Sequence, residues 1–530
     1  MKRKKLKLKE FSLHPIIMFI LLTVIVVIFS GFLALFDIQV SYNEINPNNL
    51  ELESVLIAVK SLFNYEGLKF IISNTAKSFV GFTPLSNLLL ALIGISVAYS
   101  TGLIDAFSKK LSQKLDNTKI TFIIILLATM SSIINDVGYV LLIPLSALIF
   151  SANKRSPMLG VITAFCGVAF GYGTTVFVGS AEVNLISDTV AAARLIDPNF
   201  HVSLTSNLII MIITTFIISI IGTFIIEKII APKFFYKKIF DADTSTKEID
   251  IEAILKETEQ NKLEVEIREK KGLKKSLIAT IIFLILFAYM LIPGLPFSGL
   301  LLDMNEKIYL NQIFGDNSYF QDGFTFMISL LLVVVGIVYG VSAKTIKNSK
   351  ELISKCTIYL NNVGILVCLV FFASMFISVF KESNIGPVIV ALATKLISQL
   401  SFSGISLILL VILLIGICNL FVTTPAGKWS IMAPVVVPLM MQSNISPQFA
   451  QFILRVSDSL TKGITPLLAY FVIYIGYLNI YNSDKKVVTI KKAISYIMPY
   501  CLVITISWIL IIIGWYILGA PIGPGVSSTL

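Results

Sequence analysis

The chain has 530 residues, 56% of them hydrophobic and 14% charged, with a formal net charge of +11. It is too apolar for an ordinary soluble domain, and stretches of about 20 apolar residues, enough to cross a bilayer, recur from end to end. The lysines and arginines cluster in short loops beside those stretches, so the positive excess reports orientation in a membrane and gives no reason to expect a nucleic-acid partner.

In chain order, residues 1–14 form a basic N-terminus that opens with MKRKKLKLKEF. The apolar stretch from Pro15 to Phe36 is too long for a signal-peptide core and lacks a small-residue cleavage site, so it reads as an uncleaved first span. Further spans are expected at 85–103, 158–180, 205–230, 275–295, 325–342, 357–380, 448–480 and 491–518. Two apolar segments, 118–151 and 403–441, are too long for one crossing and are interrupted near the middle, so they read as re-entrant hairpins. The expected fold is therefore all-α and polytopic, with nine transmembrane helices and two hairpins. The first membrane half is 15–230, the second 276–518, and a charged cytoplasmic loop, 231–275, lies between them. Lysine-rich loops place the N-terminus inside, which puts the tail, 519–530, outside an inner (plasma) membrane.

At a constant offset of 290, Tyr139 falls on Trp429, Pro144 on Pro434, Ser156 on Ser446 and Pro157 on Pro447. The first hairpin opens inward and the second outward, so the sequence predicts an inverted repeat, as alternating access requires.

The densest chemistry lies between Asn419 and Pro466. There an apolar segment breaks around NLFVTTPAGKW and later runs into RVSDSLTKGITP, which puts Arg455 and Asp458 inside a predicted span. A charge at bilayer depth costs about 2.5–3.5 kcal/mol on insertion scales, so such residues face a cavity, a partner or a substrate. Broken helices at that depth are tolerated where they line a cavity or are buried in protein. A primary pump would need a GxxxxGK[ST] loop, which is missing. With two histidines, no GxSxG and five scattered cysteines lacking a CxxC pair, an enzyme or a metal centre is not expected. Secondary transport remains the leading reading, and a channel-like or scaffold membrane protein without coupled transport is the alternative.

Four blocks carry a resemblance: FTPLSNLLLALIGISVAYSTGL (82–103), SSIINDVGYVLLIPLSALIF (131–150), GVAFGYGTTVFVGSAEVNLI (167–186) and NLFVTTPAGKW through RVSDSLTKGITPLLAYF (419–471). In fixed order they resemble the p-aminobenzoyl-glutamate transporter (AbgT) family over most of the chain. The resemblance implies nine spans, two hairpins, a homodimer, and cation-coupled movement of p-aminobenzoyl-glutamate or related folate-pathway aromatic amides, sulfonamide efflux included. Asn419, Trp429, Arg455 and Asp458 match the family's site residues. The chain departs from the family in having Glu182 where aspartate is commoner, Ala426 where serine is frequent, and TKGITP in place of a TNIITP-like string, which puts Lys462 near the site.

Arg455 and Asp458, three residues apart, share a helix face. In one reading they neutralise each other. In the other, Asp458 binds the coupling ion, Na⁺ or H⁺, and Arg455 meets an anionic substrate through its two-pronged guanidinium. Asn419 supplies an amide oxygen to a Na⁺ site with Asp458, or makes an interhelical hydrogen bond. Trp429 stacks on an aminobenzoyl ring or marks the interface. Lys428 snorkels, pairs structurally or binds substrate, and Glu182 is a mouth charge or a site residue. Asn135 and Asp136 cap the second arm of the first hairpin or bind directly. No cofactor beyond the coupling ion is expected.

Overall fold

The computed structural model describes residues 13–45, 51–134, 136–234, 251–315, 317–361, 363–482 and 486–530; of residues 251–263 it describes the backbone alone. The chain is mostly helical, in keeping with its apolar composition. Its first part runs α1 (Pro15–Ala34), a β-hairpin of β1 (Gln39–Ile45) and β2 (Leu52–Ala58), α2 (Tyr65–Val80), α3 (Thr83–Ser100), α4 (Leu103–Ser112), α5 (Asn117–Met130), α6 (Val137–Ala152), α7 (Pro157–Ala169), α8 (Ser180–Ala193) and α9 (Leu208–Ile225). The second part runs α10 (Ile251–Tyr289), α11 (Tyr309–Phe314), α12 (Tyr319–Ser342), α13 (Ser349–Leu360), α14 (Val363–Glu382), α15 (Ile385–Gln399), α16 (Gly404–Cys418), α17 (Pro425–Gln442), α18 (Pro447–Thr461), α19 (Phe471–Ile480) and α20 (Ile490–Leu518). A short pair, β3 (Pro521–Gly523) and β4 (Val526–Ser527), ends the chain.

Among the described residues, eight helical runs are long and apolar enough to cross a bilayer, including α1, α9, α12, α14 and α20. Two of the expected spans are corrected. The stretch 158–180 is helical only to Ala169, and 448–480 divides into α18 and α19 around a single 3₁₀ turn at Lys462–Ile464. The first break follows from close packing. A side chain at Gly171 would come within 2.6 Å of the Thr129 methyl group and 2.9 Å of its Cα, and one at Gly173 within 3.1 Å of the Val456 Cα. Only glycine lets the chain pass there. At the second break, Pro466 has no N–H to continue a helix.

Several further elements were not expected. The loop 37–80 contains β1, β2 and α2, and α15 occupies the stretch between an expected span and the second hairpin. The seven-residue register of β1 on β2 gives the otherwise helical fold a small sheet. The charged loop 231–275 holds the start of α10, a helix of 39 residues that continues through Tyr289.

Both interrupted segments form helix–break–helix hairpins. In the first, α5 and α6 flank a 3₁₀ turn at Ser131–Ile134; in the second, α16 and α17 flank residues 419–424. Pro144 and Pro434 both lie inside the second arms. Ser156 and Ser446 both precede a helix with proline at its first position, where the missing N–H costs nothing. The arms pack on the broken helices, α6 on α7, α16 on α18, and α17 on both α8 and α18. This packing brings the hairpin tips to the two breaks.

Candidate substrate and ion site

α18 carries the centre of the site. Of its residues Pro447 to Leu460 every one is buried, so its polar side chains must find partners within the protein. Arg455 and Asp458 do lie one turn apart, but they do not pair with each other. Arg455 pairs with Glu182 of α8, and Asp458 pairs with Lys428 of α17. The reading in which they neutralise each other is corrected, because each charge faces a different neighbouring helix.

Glu182 is 2% exposed, so it is no mouth charge. It accepts the Gly179 N–H at 3.0 Å with one carboxylate oxygen, capping α8, and turns the other towards Arg455. Arg455 also donates to the Tyr172 carbonyl, at 2.7 Å, where the first broken helix is unwound. Both terminal nitrogens of its guanidinium are engaged in this arrangement, while among the described residues its Nε has no hydrogen-bond partner.

Lys428 is fully buried, one helical turn inside the second hairpin tip. Its ammonium donates to the Asn419 Oδ1 and the Val422 carbonyl, each at 2.8 Å, and to Asp458 Oδ1. Asn419 in turn donates to the Asp458 carbonyl at 2.6 Å and to the Thr461 hydroxyl at 3.2 Å. The two oxygens expected to surround a Na⁺ ion thus face a lysine ammonium in this structure. Among the described residues, Asp458 Oδ2 is buried without a hydrogen-bond partner. Lys428 does not snorkel; it is the resident cation of an oxygen cage.

Trp429 is wholly buried. Its indole N–H donates to the Thr189 hydroxyl at 2.9 Å, and Thr189 donates to Gln451 at 2.7 Å, linking α17, α8 and α18. This corrects both expectations for it, since a sealed indole neither marks an interface nor presents a face to a ligand.

A cavity of about 510 Å³ lies beside this layer, where both tips meet the α18–α19 break. It is lined by Asp136 of the first tip, Thr423 and Thr424 of the second, Lys462 and Tyr470 of the α18–α19 break, and Asn184 of α8. The six expected site residues, Asn419, Lys428, Trp429, Arg455, Asp458 and Glu182, are absent from this lining and stand behind it. Asp136 precedes α6 but makes no capping hydrogen bond; its carboxylate turns to Lys462 at 3.5 Å instead. Asn135 lies outside the described residues. Thr423, Thr424, Asn184 and Tyr470 were missed, although the first two are the polar residues of the TTP break and the others fall in the conspicuous blocks. A larger cavity, about 750 Å³, sits below β1 with Glu44, Asp188, Arg194 and His201 in its wall. It touches neither break nor tip, so the smaller cavity is the better site.

Hairpin tips meeting at broken helices, over buried ion pairs, are the construction of a membrane transporter. The chain belongs to the AbgT family: the model of the AbgT putative transporter family matches residues 9–530. It is 27% identical over 518 residues to the p-aminobenzoyl-glutamate transport protein of Escherichia coli (strain K12), covering 98% of this chain and 94% of that protein. It is similar to the Alcanivorax borkumensis YdaH transporter, with 26% identity, 97% of this chain and 100% of that one covered, and a TM-score of 0.47. It is also similar to Neisseria gonorrhoeae MtrF, described as illuminating a class of antimetabolite efflux pumps. That match has 30% identity, 98% of each chain covered, and a TM-score of 0.47. The protein is thus a multi-pass transporter of a small molecule, and not an enzyme.

Proposed function

We propose that this protein is a secondary active, cation-coupled transporter of p-aminobenzoyl-glutamate or related folate-pathway aromatic amides, sulfonamides included. The observation that carries this reading is the polar cavity between the two hairpin tips, backed by the Lys428–Asp458 and Arg455–Glu182 pairs. Its volume suits one aromatic amide, since small-molecule sites run from about 300 to 1,000 Å³. The cargo is suggested by the name of the Escherichia coli relative.

Asp458 is the principal coupling carboxylate. Its unpartnered Oδ2 is a place for a proton, and protonation there would loosen its hold on Lys428. The ammonium in the cage favours H⁺ over Na⁺, because a metal ion could enter only if Lys428 left or lost its charge. The element pairs at the 290 offset support an inverted repeat, with the N-terminus cytoplasmic, the C-terminus external and a homodimeric assembly in the inner membrane.

The test is flux of p-aminobenzoyl-glutamate and a sulfonamide in proteoliposomes under separate Na⁺ and proton gradients. Saturable flux driven by the proton gradient is expected. Flux without saturation and indifferent to both gradients would replace the transporter mechanism with a channel. Cysteines placed at Val526 and Ser112 test orientation: an impermeant reagent outside the cell should label the first and spare the second.

A further inference from the structure

Resting on the aromatic-amide reading, we infer that Lys462 is the anchor for a carboxylate on the substrate and that Asp136 is the counter-ion it displaces. A carboxylate-bearing substrate needs a cation in the cavity. Arg455 and Lys428 are sealed behind the wall by Glu182 and Asp458. Among the described residues, the basic side chains lining the cavity are Lys462 and Lys381, and Lys381 is exposed at the end of α14. Lys462 is the deep one, with its side chain 5% exposed, and it sits at the break between α18 and α19.

Its bond to Asp136 is built to exchange. At 3.5 Å it is longer than the 2.7–2.9 Å or so of a tight charge-assisted contact, and the Asp136 side chain is 35% exposed. The lysine is held independently, with its ammonium 4.6 Å from the centre of the Tyr172 ring. A carboxylate entering the cavity can therefore take the place of Asp136 while the lysine stays where it is and is never left unpaired. That matters, because a buried charge without a partner is costly. A neutral ligand offers Lys462 no compensating charge, so it leaves the pair intact.

Displaced Asp136 has a second partner waiting. It occupies the N-cap position of α6, whose side-chain capping bond is unused. Aspartate is a favoured cap, so release from Lys462 lets its side chain turn to the backbone N–H groups of the first turn of α6. Substrate charge recognition and the set of the first hairpin tip are then one event.

The experiment measures binding of p-aminobenzoyl-glutamate and of neutral p-aminobenzamide to purified wild type, Lys462→Asn, Lys462→Arg and Asp136→Asn, with thermal unfolding as the check on folding. Lys462→Asn should weaken p-aminobenzoyl-glutamate by about tenfold or more, the worth of a charge-assisted hydrogen bond, and leave p-aminobenzamide unchanged. Lys462→Arg should keep most of the affinity. Asp136→Asn should tighten p-aminobenzoyl-glutamate, because the internal competitor is gone. If folded Lys462→Asn binds p-aminobenzoyl-glutamate as wild type does, or loses both ligands equally, the anchor is refuted and the transport reading stands. If wild type binds p-aminobenzamide alone, the anchor falls and the aromatic site survives. If wild type binds neither, both proposals fall.

Discussion

Replacing Asp458 by alanine removes the counter-ion from a lysine with no exposure to solvent. Breaking a buried ion pair from one side costs about 3–5 kcal/mol, because the remaining charge is left without compensation. Lys428 would keep the Asn419 amide oxygen and the Val422 carbonyl, both at 2.8 Å, which moderates the loss and places it at the lower end. The double change Asp458→Ala with Lys428→Met removes both charges and keeps most of the lysine's volume, so it should recover most of that stability. Asp458→Ala with Arg455→Ala should recover none, because Arg455 answers to Glu182 and its removal leaves a second buried charge alone. The assay is thermal unfolding in detergent as a double-mutant cycle, with proton-driven flux measured on the same preparations. Coupling of at least about 1 kcal/mol is expected for Asp458 with Lys428, and close to none for Asp458 with Arg455. Flux should stay lost in the restored double variant, since the coupling carboxylate is missing. The reverse pattern of coupling would refute the pairing. Full flux in the restored variant would remove Asp458 from coupling.

Trp429→Phe loses the indole hydrogen bond to Thr189 and should cost about 1 kcal/mol in thermal unfolding with the substrate KM unchanged; a raised KM at unchanged stability would put the indole against the ligand. Gly160→Ala should cost roughly 1–3 kcal/mol, because a Cβ there falls 2.5 Å from the Ser146 carbonyl oxygen and 2.9 Å from the Ala147 Cα. An unchanged melting temperature would show that α6 and α7 separate freely. At the start of α13, the Lys347 backbone N–H and then the Lys355 side chain hold the Glu351 carboxyl below the usual carboxylate range. A lowered value means stability that is present above that range and lost as pH falls through it. The melting difference between wild type and Glu351→Gln should therefore close below about pH 4, and a difference that persists there would exclude this bond.

The three buried or half-buried ion pairs around the cavity, Lys428–Asp458, Arg455–Glu182 and Lys462–Asp136, balance one another in charge. Each joins different helices, and each involves α18 or the turn that succeeds it. A change of partner at one pair therefore acts on elements that must move relative to each other in alternating access.

The sequence by itself determined the membrane class, the approximate place of the apolar helices, the two interrupted segments, and the part of the chain where the buried charges gather. These come from local rules. Composition sets the solvent, glycine and proline interrupt helices, and Ser-Pro starts α7 and α18 at residues 157 and 447. Charges inside a span announce a polar interior wherever they occur. Only the tertiary structure decided which charge meets which. The spacing of Arg455 and Asp458 puts them on one face of α18, and mutual neutralisation is the local inference from that spacing. A helix face is shared by several neighbours, however, and the side chains leave it towards α8 and α17. Trp429 stands near a tip and so reads as a cavity residue, yet its orientation on α17 turns it to Thr189 on a helix distant in the chain. Lys462 looks secondary in the sequence, and it is the basic side chain that reaches the deep cavity wall. Periodicity fixes a residue's direction on its own helix, whereas its partner is fixed by how helices from remote parts of the chain pack, and that is a long-range property no local pattern encodes.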